Sequence, residues 1–201
     1  MRALRNGRNG FTLIELLIVL ALICIMSVML YGFGSRSHQR SQQQLCAGNL
    51  QKVYIAMQIY ANDFKGALPY KTNVETSEEV LQELVPKYTA DVSIFTCPGG
   101  RDAEVPSGQP LQKYRISYAY YMGRKLDNNP QTALLSDRQI NAEPKRAGEM
   151  VFSSNGKPPG NNHHKYGGNF LMGDGTVQFS PSQLTFSLAQ PADVVLLNPK
   201  P

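Results

Sequence analysis

One apolar run, residues 11–31, constrains this chain more than any other feature, because Glu15 is the single charged residue within it. As an α-helix rising about 1.5 Å per residue, the run is about 32 Å long, enough to cross the hydrocarbon core of a bilayer. A carboxylate without a partner is costly in lipid, so Glu15 needs a counter-charge, contact with water or a shifted pKa. The run predicts a membrane-spanning helix and leaves open which of these three accommodates Glu15.

Positive charges precede the run at Arg2, Arg5 and Arg8. The positive-inside rule therefore places the N-terminus in the cytoplasm and the rest of the chain outside, in a single-pass topology. A secretory signal peptide would have a shorter apolar core and a small-residue cleavage site, which "YGFGSRS" (31–37) lacks. A plain signal anchor fits the length and charge, but it explains neither Glu15 nor the glycine before the run.

The segment "RNGRNGFTLIELLIVLALI" resembles the cleavage and methylation segment of type IV prepilins and type II secretion pseudopilins, without a gap over residues 10–16. The resemblance implies that a prepilin peptidase cuts between Gly10 and Phe11 and that the new Phe11 amine is methylated. It also implies that Glu15 pairs with the Phe11 amine of a neighbouring subunit, which offsets the cost of the carboxylate in lipid. The competing interpretation is an acid that snorkels near a helix start, with a mild helix-dipole benefit.

The resemblance also implies a domain organisation and a set of partners. Residues 1–10 are the leader peptide, 11–34 the transmembrane and assembly helix, and 35–201 a soluble head that is periplasmic or, after assembly, at the cell surface. The expected location is the bacterial inner membrane. The expected partners are the prepilin peptidase, like subunits in a filament and an inner-membrane assembly platform.

Beyond the run, periodicity predicts the fold. An apolar stripe at helical spacing continues the long helix, through Cys46, Leu50, Val53, Met57, Tyr60 and Phe64. "TSEEVLQELVPKY" predicts a short second helix with a capping box between Thr76 and Glu79 and an end at Pro86. "IFTCPGG" reads as a strand end followed by a turn.

Several short segments predict strands. In "YRISYAYY" (114–121), alternation places Tyr114, Ile116, Tyr118 and Tyr120 on one face. "TALLS", "EMVFS", "NFLMG" and "TVQFS" are further strand candidates. The predicted fold class is α+β, a long N-terminal helix packed on a small, mostly antiparallel sheet as in pilins.

Three cysteines are too few for a disulfide framework, and Cys24 lies inside the apolar run. Cys46 and Cys97 are left as one candidate pair. A disulfide between them would contribute about 3–4 kcal/mol in the chain-entropy model, and two buried free thiols are the alternative. Neither cysteine belongs to a C-x-x-C pattern, so a zinc site or a thioredoxin-like site has little support.

The stretch "HHKYGGNFLMGDGTVQF" holds a second motif, in which nine residues separate His164 from Asp174 and Gly175. It resembles the His-x9-Asp-Gly motif (164–175) of prepilin-like proteins from Planctomycetes, in which an upstream acid weakly matches Asp137. The Asp-Gly pair predicts a hairpin turn. His164 either braces this turn through a hydrogen bond, or binds a ligand or metal with Asp137 and Asp174, or serves a catalytic role, for which no nucleophile signature is present.

The basic character of the chain does not indicate nucleic acid. The formal charge is +5 and the pI about 9.1, but the basic residues are scattered without a dense run.

No cofactor is indicated. The leading hypothesis is a non-enzymatic pilin-like or pseudopilin-like filament subunit. The alternatives are a membrane-anchored module that binds a ligand such as a glycan on its Tyr-rich sheet, and an enzyme that uses His164 and an aspartate.

Overall fold

The structure is a computed structural model that describes residues 11–188 and 191–201. The predicted leader and Gly10 lie outside the described residues, as do the side chains of residues 30–37. Contacts divide the chain into two compact units, Met1–His38 and Gln39–Pro201, and each is described by itself.

The first unit contributes the beginning of helix α1, which spans Leu13–Asp63. Its large apolar side chains between residues 13 and 29 are 44–82% exposed within the chain. The predicted transmembrane segment 11–34 extends into residues 30–34, whose side chains lie outside the described part. Among the described residues, no helix combines the length and apolar character needed to cross a membrane.

In the second unit, α1 buries one stripe against the head. The predicted stripe is confirmed for the five side chains that are buried, Cys46, Leu50, Val53, Met57 and Tyr60. The prediction is wrong for Phe64, which lies beyond the end of α1 and is 47% exposed. The chain leaves the helix there through Lys65 and Gly66, both with positive φ, and the Phe64 ring stacks on Tyr60 with centroids 4.3 Å apart.

Five strands form one antiparallel sheet in the order β4-β3-β2-β1-β5. Their bounds are β1 Tyr118–Met122, β2 Ala133–Asp137, β3 Gly168–Met172, β4 Val177–Ser180 and β5 Val195–Leu197. Strand β1 pairs with β2 in the register Tyr118↔Asp137. The predicted α+β class with an antiparallel sheet is confirmed, while β5 was not predicted.

Both faces of the three central strands, β1, β2 and β3, are buried. Tyr118 and Tyr120 of β1 pack in the same core cluster as the α1 stripe, together with Ile116, and the partly buried Tyr114 packs against it. The predicted shared face is confirmed, but the strand begins at Tyr118 rather than at Tyr114. The opposite face packs against Val151 and Phe152. The strand predicted over "EMVFS" is wrong, because this segment forms one isolated bridge, Met150↔Gln183, and covers the sheet as a loop.

The second helix is present but short. Helix α2 spans Ser77–Leu81 and continues as a 3-10 turn over Gln82–Leu84. Thr76 is its N-cap, but the Thr76 hydroxyl donates to the Glu79 carboxylate at 3.0 Å and caps no backbone N–H. The strand end predicted in "IFTCPGG" is wrong, since Val92–Phe95 form a 3-10 helix that leads into the turn holding Cys97.

Candidate functional site

The start of α1 holds Glu15 in a local hydrogen-bonded arrangement. The Thr12 backbone N–H and the Thr12 hydroxyl donate to Glu15 Oε2 at 2.8 and 2.7 Å, and the Glu15 N–H lies 3.4 Å from the Thr12 hydroxyl oxygen. Thr12 and Glu15 thus form a capping box at the first turn of the helix. Sequence reasoning missed this role, although Thr-x-x-Glu before an apolar run is its signature.

The capping box partly answers why a carboxylate sits in the apolar run. Glu15 has a partner within its own chain, and both of the shorter hydrogen bonds use Oε2 rather than Oε1. Phe11, the residue predicted to carry the methylated amine, is one residue before Thr12 and is exposed. The carboxylate is therefore oriented at the helix start with one oxygen outside these bonds.

A second candidate site lies inside the head. Four ionisable side chains come together there, with ligand atoms all within 4.8 Å of one another: Cys46, Cys97, Asp137 and His163. Cys46 lies on α1, Cys97 in the turn after the 3-10 helix, Asp137 at the end of β2, and His163 in the loop before β3. All four are buried.

Two atoms make most of the contacts inside this four-residue cluster, His163 Nε2 and Cys46 Sγ. The His163 Nε2 atom lies 3.2 Å from Asp137 Oδ2 and 3.5 Å from Cys97 Sγ. The Cys46 thiol donates to Asp137 Oδ1 at 3.2 Å, and its sulfur is 3.3 Å from the Tyr118 hydroxyl. A single ring nitrogen therefore faces both a thiol and a carboxylate.

Two asparagines fix the carboxylate of Asp137 from outside the cluster. The Asn162 side-chain amide donates to Asp137 Oδ1 at 2.8 Å and to the Ser117 carbonyl at 2.7 Å. The Asn169 backbone N–H donates to Asp137 Oδ2 at 2.7 Å. Because both oxygens accept hydrogen bonds from rigid groups, the carboxylate has little freedom to rotate.

Electrostatics in the cluster favour the charged forms of His163 and Cys97 despite burial, and the neutral form of Cys46. Burial opposes the ionisation of His163, but the negative charge and hydrogen bond of Asp137 outweigh it and raise the pKa of His163 to about 10. Burial likewise opposes ionisation of Cys97, while hydrogen bonds with Cys46 and His163 lower its pKa to about 7. Burial raises the pKa of Cys46, and the hydrogen bond with Cys97 adds to this.

The cluster does not have the geometry of a Cys-His-Asp catalytic triad. In a triad, one imidazole nitrogen faces the nucleophile and the other faces the carboxylate. Here Nε2 faces both, and Nδ1 of His163 has no hydrogen-bond partner among the described residues. The thiol of Cys97 is also buried, which separates it from any substrate in solvent.

The two cysteines of the candidate disulfide are neighbours and are free thiols, which is the alternative that the sequence left open, and Cys24 is free and exposed. The sequence correctly singled out Cys46 and Cys97 as the pair that the fold brings together. Their partners are Asp137 and His163, and no local spacing in the sequence predicts this combination of four residues.

The Asp-Gly part of the His-x9-Asp-Gly motif lies in a hairpin turn. Asp174 and Gly175 form the predicted hairpin turn between β3 and β4, where Gly175 has φ +83° and Asp174 Oδ1 accepts from the Thr176 N–H at 2.9 Å. A Cβ on Gly175 would lie 2.5 Å from the Tyr54 ring of α1. This turn is packed against the helix and needs glycine for both reasons.

His164 is not a member of the buried cluster. It is exposed, with φ +56°, and its ring lies against Gly156, where a Cβ would be 2.5 Å away. Among the described residues, no hydrogen bond joins His164 to Asp137 or Asp174, and the group of potential metal ligands found there contains Asp137 but neither His164 nor Asp174. The buried histidine is the preceding residue, His163, and it is His163 that contacts Asp137.

Comparison with known proteins places the first unit in a family context. Residues 5–31 match the model of the prokaryotic N-terminal methylation motif. The ComG operon protein 3 homolog of Bacillus licheniformis is 25% identical over 103 residues, which cover 51% of this chain and 95% of that relative. No solved structure matches the chain.

The resemblance of the C-terminal motif to Planctomycetes proteins stays a prediction. The chain carries a prokaryotic N-terminal methylation motif, and the predicted resemblance to prepilin-like proteins is confirmed for this segment.

Proposed function

We propose that this chain is a non-enzymatic, pilin-like subunit that a prepilin peptidase processes and that assembles into a filament of a type II secretion or type IV pilus-like system. The observation that carries the proposal is the methylation motif over residues 5–31, whose single acid is held at the start of a helix covered with exposed apolar side chains. Cleavage after Gly10 would make Phe11 the new N-terminus, directly before the capping box.

The geometry of Glu15 supports a role in subunit pairing. The capping box occupies Oε2 and keeps the side chain at the helix start, while Oε1 takes part in neither bond to Thr12. A methylated Phe11 amine from a neighbouring subunit would find an oriented carboxylate oxygen there. Such an ion pair would fix the axial register between two helices, because only one stagger brings the charges together.

The exposed apolar surface supports the same function. A helix that is apolar on all sides is stable only when something covers it, either lipid or other helices. Before assembly, this part of α1 would lie in the bacterial inner membrane, N-terminus inside, with the head in the periplasm. After assembly, like helices would cover it in the filament core, delivered by an inner-membrane assembly platform.

The two alternative functions gain no support from the features that suggested them. The strand tyrosines Tyr118, Tyr120 and Tyr121 are at most 1% exposed, so these three rings are not available to stack on a glycan. Within residues 11–188 and 191–201, no hydrogen bond joins His164 to an aspartate. In the buried cluster, His163 Nε2 faces both Cys97 Sγ and Asp137 Oδ2, which gives the enzyme alternative no support.

Substitutions at Glu15 test the proposal and separate its two roles. Glu15→Gln keeps a carbonyl oxygen that can accept the Thr12 N–H, but it removes the charge. We expect this variant to be inserted and processed like the wild type and to be lost from sheared filaments. Glu15→Val, which removes both roles, should insert equally well or better and also fail to assemble.

A conservative change at Thr12 provides the control. Thr12→Ser retains the hydroxyl and the backbone N–H of the capping box and should assemble normally. Incorporation of Glu15→Gln at the wild-type level would contradict the pairing role and leave Glu15 as a helix cap alone.

A further inference from the structure

We propose that the buried cluster of Cys46, Cys97, Asp137 and His163 is a structural metal site that binds one Zn²⁺ ion in the head. This inference goes beyond the filament function, since it concerns what holds the second unit together. The metal site does not depend on assembly of the chain into a filament.

The chemistry of the four side chains fits zinc. Two thiolates, one imidazole and one carboxylate are the N, S and O ligands that Zn²⁺ accepts, and soft thiolates disfavour Mg²⁺ and Ca²⁺. Four protein ligands with no exposed position are typical of structural sites rather than catalytic ones, which keep a place for water. Both thiols and the imidazole are buried in the same place, where solvent cannot compete for the metal.

The distances between ligand atoms fit a tetrahedral ion. Zinc bonds of about 2.0–2.3 Å place neighbouring ligand atoms of a tetrahedron roughly 3.3–3.8 Å apart. The structure has 3.2 Å from His163 Nε2 to Asp137 Oδ2 and 3.5 Å from that nitrogen to Cys97 Sγ, which are close to this range. Cys46 Sγ lies 3.2 Å from the other carboxylate oxygen, Asp137 Oδ1. Because all the ligand atoms lie within 4.8 Å of one another, small side-chain shifts bring them around one centre.

The charges and hydrogen bonds around the cluster are also compatible with a bound metal ion. Binding would displace the thiol protons of Cys46 and Cys97 and the Nε2 proton of His163 into solvent. Zinc would then offset most of the negative charge on the two thiolates and Asp137. Polar groups already face the cluster: the Asn162 amide and the Asn169 N–H reach Asp137, and the Tyr118 hydroxyl is 3.3 Å from Cys46 Sγ. Such outer contacts orient metal ligands.

The positions of the four ligands indicate that the ion would cross-link the head. One ligand is on α1, one follows a 3-10 helix, one ends β2 and one lies in a long loop, so a single ion would join four segments of the head. The competing state is a disulfide between Cys46 and Cys97, which an oxidant would form by removing two electrons and two protons. That state would remove two ligands, so zinc and the disulfide exclude each other.

Metal analysis of the full-length chain, purified from membranes in detergent without a chelator, tests the site. We expect about one zinc per chain in the wild type and loss of that zinc in Cys97→Ser and His163→Ala. The matched controls are Cys24→Ser and His164→Ala, which change the same residue types outside the cluster and should keep the metal. Equal zinc content in all five proteins would overturn the proposal.

A second measurement needs no variant that could fail to fold. Wild-type protein is stripped with a chelator and titrated with Co²⁺, which reports thiolate ligation by a sulfur-to-cobalt charge-transfer band and tetrahedral geometry by intense d–d bands. We expect both bands, and we expect the chelator to lower the thermal midpoint and Zn²⁺ to restore it. Absence of the charge-transfer band, or a wild type isolated with a Cys46–Cys97 disulfide and no zinc, would overturn the site.

Discussion

Two stretches of α1 use apolar side chains in opposite ways. Between residues 13 and 29 the large apolar side chains are exposed on every side of the helix, whereas the stripe from Cys46 to Tyr60 is buried against the head. Polar groups are reversed as well, since Glu15 is exposed at the helix start and Asp137 is buried beneath the second stretch. The exposed apolar surface of the first stretch is what the proposed filament function requires, whereas the stripe of the second stretch is buried within the head.

The largest stability effect should come from the buried carboxylate. Asp137→Ala leaves His163 without its counter-charge and Asn162 and the Asn169 N–H without their acceptor. We expect a loss of about 3–5 kcal/mol in the free energy of unfolding, measured by urea denaturation with a chelator present so that no metal contributes. Asp174→Ala, which removes only turn hydrogen bonds to Thr176, should cost about 1 kcal/mol. Equal costs would show that the cluster is not a buried ionic network.

The same substitution in the two stretches of α1 tests the comparison itself. Leu50 is 0% exposed and Leu17 is 60% exposed. We expect Leu50→Ala to destabilise the head by about 2–5 kcal/mol, because it leaves a cavity in the core. Leu17→Ala should change head unfolding by less than about 0.5 kcal/mol, and its effect should appear in filament assembly. A head equally sensitive to both changes would contradict the separation.

A pair of glycines tests how tightly the cluster is packed. A Cβ on Gly99 would lie 2.6 Å from His163 Nδ1, whereas a Cβ on Gly48 of α1 would meet nothing within 4 Å. We expect Gly99→Ala to cost about 1–3 kcal/mol by displacing the imidazole. Gly48→Ala should stabilise the helix by about 0.5–1 kcal/mol. Thermal melts of both variants check this, and a neutral Gly99→Ala would mean that His163 tolerates displacement.

The smallest effect should come from the histidine of the sequence motif. His164 is exposed and bonds to neither aspartate among the described residues, so His164→Ala should change the free energy of unfolding by about 0.5 kcal/mol or less. A brace on the Asp174 turn would cost about 1–2 kcal/mol instead. Urea denaturation beside Asp174→Ala distinguishes the two values.

Local patterns explain the parts of the fold that the sequence predicts correctly. The α1 stripe follows from 3.6-residue periodicity, and the β3–β4 hairpin from the preference of Asp174 and Gly175 for a tight turn. The segment around Val151 and Phe152 shows the limit of this reasoning, because its apolar side chains cover the sheet without strand pairing. Hydrophobicity alone does not distinguish a strand from a buried loop.

The buried cluster could not be predicted from local patterns. Its residues come from four segments far apart in sequence, and only the packed fold places them within 4.8 Å. The motif spacing drew attention to His164, while burial selects the adjacent His163. The sequence did identify Cys46, Cys97 and Asp137 separately, but without the fold it assigned them to two different sites.

The intact mass of the protein from its native membrane tests the central claim most directly, because the filament function requires a processed N-terminus. We expect a chain that begins at Phe11, lacks residues 1–10 and carries one added methyl group on the Phe11 amine. Gly10→Ala should slow this processing, and a bulkier residue there should block it. A chain that retains residues 1–10 in cells with an active prepilin peptidase would contradict the pilin-like account.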